Sequence, residues 1–350
     1  MKNTTVSLPF LALVSTAIGG IAVASSTQEA NRSTPAEMPA LQASINGPRG
    51  IAFDPLGFLY IIEVGHGQIL RLDIMRGVVR SIRLPPPFGD PGGETLLAED
   101  NASNLYLANL RGDISKFDAS TETFMTLQPG NRSAPIIFTS ISADTFGGIL
   151  ATSLNQIVRW TPGDGTKVIA GAVRRAFAGD GGPAVEARFS GAMGVAVNAN
   201  GDIYIADSGN CRIRLIDSKT RQINTIAGTG DCHSTGDKGP ATKAGLSYPK
   251  TLLYDAGGNL YFTEDFRVRR IDKYGIISTY AGTGERGSSG DGGIANDANL
   301  DTPSGLAADK SGNLYISDFG ANRIRRVDFL THVITTVAGD GSSKRNEVVM

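Results

Sequence analysis

GDGGPAVEARF, residues 179–189, recurs as GDKGPATKAGL at 236–246 and as GDGGIANDANL at 290–300. The shared frame is Gly-Asp-x-Gly-x-Ala-x-x-Ala-x-(Phe/Leu), repeated at intervals of about 55 residues, and a fixed interval of that size marks a repeat architecture. Gly-Asp-x-Gly supplies residues that tolerate φ > 0, so it can form a tight turn. Ala184/Ala187, Ala241/Ala244 and Ala295/Ala298 stand three apart, and Phe189, Leu246 and Leu300 follow two residues later. Small residues at that spacing suit one helical turn lying flat over a large apolar residue. The frame therefore reads as a connector between repeated units. The alternative, a metal loop using Asp180, Asp237 and Asp291, has one recurring carboxylate where a calcium loop needs several oxygens.

Between the connectors lie runs of four to seven residues bounded by Gly, Asp or Asn and rich in Ile, Val, Thr and Tyr, which is strand composition. One run recurs six times: GFLYIIE (57–63), SNLYLAN (103–109), GGILATS (147–153), GDIYIAD (201–207), GNLYFTE (258–264) and GNLYISD (312–318). It aligns Tyr60, Tyr106, Leu150, Tyr204, Tyr261 and Tyr315. A run such as GVAVN (194–198) precedes it, CRIRLID (211–217) follows it, and INTIAG (223–228) closes the unit. Four strands per unit and six units predict an all-β, six-bladed propeller with four antiparallel strands per blade. The first two units are degenerate in their fourth strand, and the third lacks the Tyr.

GVAVNANGDIYIADSGNCRIRLID…INTIAG and GLAADKSGNLYISDFGANRIRRVD…ITTVAG resemble NHL repeats, strongly over 190–340 and more weakly over 47–171. The resemblance implies a closed six-bladed ring, in agreement with the period. It also brings to mind lactonase-type and lyase-type propellers, and with them a divalent cation in the central channel.

With 350 residues, 41% of them hydrophobic, the chain can build a large core, and 44 glycines suit a turn-rich all-β protein. A net charge of −1 argues against a general nucleic-acid surface. Lys2, then VSLPFLALVSTAIGGIAVA ending in Ala22-Val23-Ala24, predicts a secretory signal over 1–24. The sequence divides into that signal, a disordered polar leader (25–44), the propeller (45–340) and a C-terminal tail (341–350). Asn31, Asn101 and Asn131 stand in Asn-x-Ser frames, glycan acceptors only in a eukaryotic secretory route. Cys211 and Cys232 fall at neighbouring ends of the third and fourth strands of one blade. In an exported chain they read as a disulfide, with two free thiols as the alternative.

Three residues beyond each aligned Tyr or Leu stand Glu63, Asn109, Ser153, Asp207, Glu264 and Asp318. One reading has each side chain accept backbone N–H groups in the turn between second and third strands. The other sends some of them to a ligand: Glu63, Asn109 and Glu264, which depart from the usual aspartate, as ligand contacts, with Asp207 and Asp318 as weaker metal candidates. A basic stripe along the third strands (Arg71, Lys116, Arg159, Arg270 and Arg326, joined by Arg214, Arg269 and Arg325) reads as solubilising cations on outer or edge strands, with an anion-binding or glycan-binding face as the alternative. His66, His233 and His332 share no spacing, and the histidines of peptide-amidating lyase propellers are not matched. The functional expectation is a secreted, monomeric binding or scaffold propeller for a protein, peptide or glycan, without cofactor. It binds no nucleic acid and does not insert in membranes once the signal is removed. The alternative is a hydrolase or lyase of the lactonase or streptogramin-lyase kind, using Ca2+, Mg2+ or Zn2+.

Overall fold

The computed structural model describes residues 36–89, 95–100, 104–128 and 137–342. The signal at 1–24, most of the leader, the three Asn-x-Ser asparagines and the tail beyond 342 lie outside them. Six antiparallel sheets follow one another along the chain, each pairing four strands in sequence order, with one short extra strand added to the outer edge of the first. Their innermost strands are Pro48–Phe53, Thr95–Glu99, Ser140–Ala143, Ala192–Val197, Leu252–Tyr254 and Pro303–Ala308, and each packs beside the next. Six apolar cores fill the gaps between successive blades, the last joining Tyr315, Ile324 and Ala338 of blade 6 to Leu59, Ile61 and Leu72 of blade 1. The ring is thereby closed.

The second strands are buried along their whole length in blades 1, 2, 4, 5 and 6. With a neighbouring blade on each face they have no solvent side, so their sequences do not alternate. The recurring tyrosine gains a partner for its hydroxyl: Tyr60, Tyr106 and Tyr315 donate to Asp54, Asp100 and Asp309 at 3.3, 3.0 and 3.2 Å. These aspartates open the turn between the first and second strands.

The connector frame does two jobs. Ala184–Glu186, Ala241–Lys243 and Ala295–Asp297 are single 3₁₀ turns, with Phe189, Leu246 and Leu300 fully buried nearby. Upstream, the glycines pair with the free edge of the next blade's outer strand: Ile223 bonds Gly181 and Gly182, Ile277 bonds Lys238 and Gly239, and Ile334 bonds Gly292 and Gly293. An outer strand left bare presents unpaired N–H and C=O groups to other chains. The motif covers three such edges.

A fourth copy stands where the sequence reads as disordered leader. Pro39-Ala40-x-x-Ala43-x-Ile45 repeats Pro183-Ala184-x-x-Ala187-x-Phe189. Met38–Pro39 pairs with Val79 and Val78 on the outer strand of blade 1, and Ala40–Gln42 is a 3₁₀ turn. Gly339 and Asp340, past the last strand of blade 6, donate to the carbonyls of Ala40 and Ala43 at 2.9 Å each. Gly228 and Thr229 treat Ala241 and Ala244 in the same way. The boundary at 44 is therefore corrected to 38 or earlier: these residues are ordered because they cover an edge and fill the gap between blades 6 and 1. The copy lacks the Gly-Asp-x-Gly half, which is why a search keyed on that half passes over it.

Candidate functional site

Glu63, Asp207, Glu264 and Asp318 are completely buried and Asn109 nearly so. Each of the four acids accepts the backbone N–H of the segment leading into the inner strand of its own blade: Asn46 to Glu63 (2.6 Å), Ser190 to Asp207 (2.8 Å), Ser247 to Glu264 (2.9 Å) and Asp301 to Asp318 (2.6 Å). Asn109 alone follows the local-turn reading, accepting the N–H of Arg111 and Asp113. The remaining oxygens are also engaged. Glu63 receives Gln68 and faces His66 Nδ1 at 2.7 Å, and Glu264 receives Ser234. Glu63, Asn109 and Glu264, the ligand candidates, and Asp207 and Asp318, the weaker metal candidates, are thus each engaged within their own blade.

Three of these acids belong to a repeated ion cluster. Arg214, Arg269 and Arg325 are buried, not edge cations as the sequence reading had them. Each guanidinium bridges the connector aspartate and the acid ending the second strand. Arg269 lies 2.7 Å from Asp237 and 2.8 Å from Glu264; Arg214 lies 2.7 Å from Asp180 and 3.4 Å from Asp207; Arg325 lies 2.8 Å from Asp291 and 3.5 Å from Asp318. Thr225, Thr279 and Thr336 of the outer strands donate to the same connector aspartates at 2.6–2.7 Å. A buried guanidinium needs paired and hydrogen-bonded carboxylates to offset its desolvation. The Asp of the opening motif is that partner. Burial nonetheless pushes the Asp318 carboxyl up to about 6, against the N–H of Asp301 and the charge of Arg325, and pushes Asp207 in the same direction.

Cys211 and Cys232 form a disulfide with Cα atoms 5.3 Å apart, clasping the start of the third strand of blade 4 to the loop after the fourth.

Among the described residues, the central channel offers space for a ligand. A cavity of about 330 Å³ opens at the end where the inner strands begin, and all six of those strands line it. Its floor is apolar, with Ile51, Leu97, Ile141, Val195, Leu252 and Leu306. Its cations are Arg49 and Lys250, and among the described lining residues there is neither carboxylate nor histidine. Hydroxyls at the rim tie one blade to the next: Thr139 donates to the Ala192 carbonyl (3.1 Å), Thr251 to Ser304 (2.6 Å) and Ser304 to Pro48 (3.0 Å). Close approach of the inner strands requires glycine at two places. A Cβ on Gly194 would collide with the Lys250 carbonyl, and one on Gly305 with that of Arg49. Apart from a glycine shared by three blades, these residues escape sequence reading because they do not recur: the inner-strand start reads PRG, TLL, SIS, AMG, LLY and PSG in the six blades.

The histidines stand elsewhere. His66 contacts Glu63, His233 is exposed beside Asp231, and His332 packs on Tyr280 with its pKa lowered by burial.

The NHL repeat profile matches residues 189–214 and 300–327, in blades 4 and 6. Mouse teneurin-3 is 35% identical over 97 residues, 24% of this chain. The matched stretch spans only 4% of teneurin-3. Among solved structures, an auxiliary nutrient-binding protein from Bacteroides thetaiotaomicron superposes with a TM-score of 0.61 at 18% identity, covering 84% of this chain and 70% of that one. A catalytically inactive variant of the virginiamycin B lyase of Staphylococcus aureus, with one histidine replaced by alanine and quinupristin present, superposes at 0.52 and 16%, covering 87% and 88%. At these identities the structural likenesses establish the propeller fold.

Proposed function

We propose that this NHL-repeat six-bladed propeller is an exported binding module that holds a small ligand, or the end of a larger one, in its channel without chemical turnover. The disulfide supports export, since such bonds persist in oxidising compartments. The observation that carries the reading is the division of labour among the polar groups. The acids that could have held a cation are spent inside the blades, and the channel offers cations, hydroxyls and an apolar floor. Among the described residues no three His, Cys, Asp or Glu side chains gather as a metal site. Among the described lining residues the donor set does not suit a cation. In the S. aureus lyase, replacement of one histidine accompanies loss of catalysis; the three histidines here stand away from the cavity. Likeness to a nutrient-binding propeller agrees with capture as the role.

The test is a thermal-shift screen of the purified protein against peptides, oligosaccharides and organic acids. A ligand at a hundred times its Kd raises stability by about 2.7 kcal/mol. Met193 lines the cavity and is partly exposed, so Met193→Trp should fill the channel without disturbing the cores. True ligands stabilise the wild type, fail to stabilise Met193→Trp, and are recovered with unchanged mass. A product of altered mass overturns the binding reading.

A further inference from the structure

The outer strands of the six blades differ in how their free edges are protected. Such a strand pairs with its own blade on one side and presents N–H and C=O groups on the other, a template for a further strand. Ile223–Ala227, Ile277–Ala281 and Ile334–Ala338 carry no charged residue, and in each the connector bonds both the N–H and the C=O of the first isoleucine. Val78–Arg83 holds two arginines and is also paired with Met38–Pro39. Gly165–Ala170 has no cover among the described residues, but it displays Lys167, and a charged side chain on an edge deters pairing.

Thr123–Gln128, the outer strand of blade 2, has neither protection. Its sequence, TFMTLQ, is uncharged, free of Pro and Gly, and of strand-forming composition. Phe124 pairs with Phe117 in the register by which Ile223 pairs with Ile216, Ile277 with Ile271 and Ile334 with Val327. Its N–H and C=O therefore point away from the blade, as those of the three isoleucines do. The connector into blade 2, 84–94, is much shorter than 171–191 or 282–302, and at Phe88 it already meets the inner strand, whose Thr95 hydroxyl donates to the Phe88 carbonyl at 3.0 Å. Among the described residues nothing pairs with this edge.

The edge is complementary to itself. Strand alternation turns the N–H and C=O of Thr126 outward along with those of Phe124. Two copies laid antiparallel about a two-fold axis match Phe124 of each with Thr126 of the other and set Met125 against Met125 on the axis. That central pair is of the non-hydrogen-bonded kind, with Cα atoms about 4.5 Å apart and side chains in contact. Met125, apolar and exposed in one ring, is covered in two. Charge does not oppose the approach: Glu122 falls opposite Gln128 of the second copy and is held by Arg80 of blade 1 at 2.9 Å. Identical chains most often associate through one self-complementary patch, and outer strands lie on the convex rim of the ring, clear of the channel.

We propose that Thr123–Gln128 is a self-association edge, through which two copies of this chain join their second blades into one continuous antiparallel sheet. The monomer expected from the sequence then holds only at low concentration. Edge pairing buries little area, so the dimer dissociates at about 10–100 µM. Sedimentation velocity of the purified protein from about 1 µM to about 1 mM, a range that brackets this constant, should show the monomer–dimer transition. Met125→Lys sets like charges face to face and should raise the dissociation constant at least about tenfold. Met125→Cys should cross-link to its own copy under mild oxidation, the Cα spacing lying within disulfide range. Thr123→Cys should not, because its copy lies about 14 Å away along the paired strand. Both residues are exposed, so the variants should fold normally, and their melting curves check this. A wild type that stays monomeric at about 1 mM overturns the proposal and leaves the edge to an extended strand of another protein. A dimer unmoved by Met125→Lys, or one that cross-links Thr123→Cys as fast as Met125→Cys, places the interface elsewhere and also overturns it.

Discussion

Blades 4–6 and blades 1–2 solve the same problem with different chemistry. In blades 4–6 a long connector (171–191, 228–251, 282–302) wraps the coming outer strand and plants an aspartate on a buried arginine. Blade 1 has the edge cover, supplied by Met38–Pro39, but Ala36 occupies the aspartate position and Leu70 the arginine position. Blade 2 follows a short connector, 84–94, and carries Ser115 where the arginine would be. Its outer strand, Thr123–Gln128, leaves Met125 57% exposed. In blades 1, 4, 5 and 6 aspartate and arginine are thus present together or missing together. Half of the pair would leave either a buried cation short of its counter-charge or a carboxylate without purpose, and the first of these is expensive.

The largest effect should come from splitting that pair. Arg325→Leu copies blade 1 into blade 6 but leaves Asp291 and Asp318 behind, and breaking a buried pair from one side costs about 3–5 kcal/mol. Adding Asp291→Ala, the other half of the blade 1 arrangement, should recover part of the loss. Urea unfolding of the two variants measures both steps. A single substitution costing under about 1 kcal/mol, typical of an exposed pair, would show that the cluster contributes no more than a surface contact does.

The difference between the two halves also explains what could be read in advance. The blade count, the strand order and the 3₁₀ connectors were legible because periodicity and turn residues are local properties, repeated often enough to be heard above variation. The fate of Arg214, Arg269 and Arg325 was not. A charged residue on a strand looks like a solvent-facing cation until a distant aspartate, 34 residues upstream of Arg214, is seen to fold over it. The acids at 63, 207, 264 and 318 stand out in the sequence as one recurring position, but burial turns them inward, and Asn109 behaves as a turn acceptor. Arg49 and Lys250 carry no repeat signature at all. They become neighbours through ring closure, which brings positions two hundred residues apart to one cavity.

A pH titration sharpens the comparison at intermediate size. Asp318 titrates near 6 in the folded protein against 3.8 for an ordinary aspartate, because burial disfavours its charge more than Asp301 and Arg325 favour it. Between those values the folded state binds more protons than the unfolded state, so this group's contribution to stability falls as pH rises from about 4 to about 6. The amplitude is on the order of 3 kcal/mol. Asp318→Asn should flatten the profile in that window. A wild-type stability that instead rises through the window, with no change in slope on substitution, would mean that Arg325 holds the carboxylate charged throughout.

The smallest effect concerns the strained backbone at the channel mouth. Thr302 is β-branched and held at φ 58°, while Gly47 and Gly191 occupy the same place in blades 1 and 4 without steric objection. If the fold alone decided the residue, blade 6 would be better served by glycine. Thr302→Gly should relieve strain of order 1 kcal/mol, offset in part by the greater freedom of glycine in the unfolded chain, for a net gain of a few tenths to about 1 kcal/mol. Gly191→Ala, the reverse exchange in blade 4, should lose a similar amount. The pair separates two meanings of the same geometry. Should Thr302→Gly raise the melting temperature while weakening ligand binding in the channel, the strain serves to position the rim beside Ser304. Should it leave both unchanged, the left-handed conformation is tolerated there without consequence.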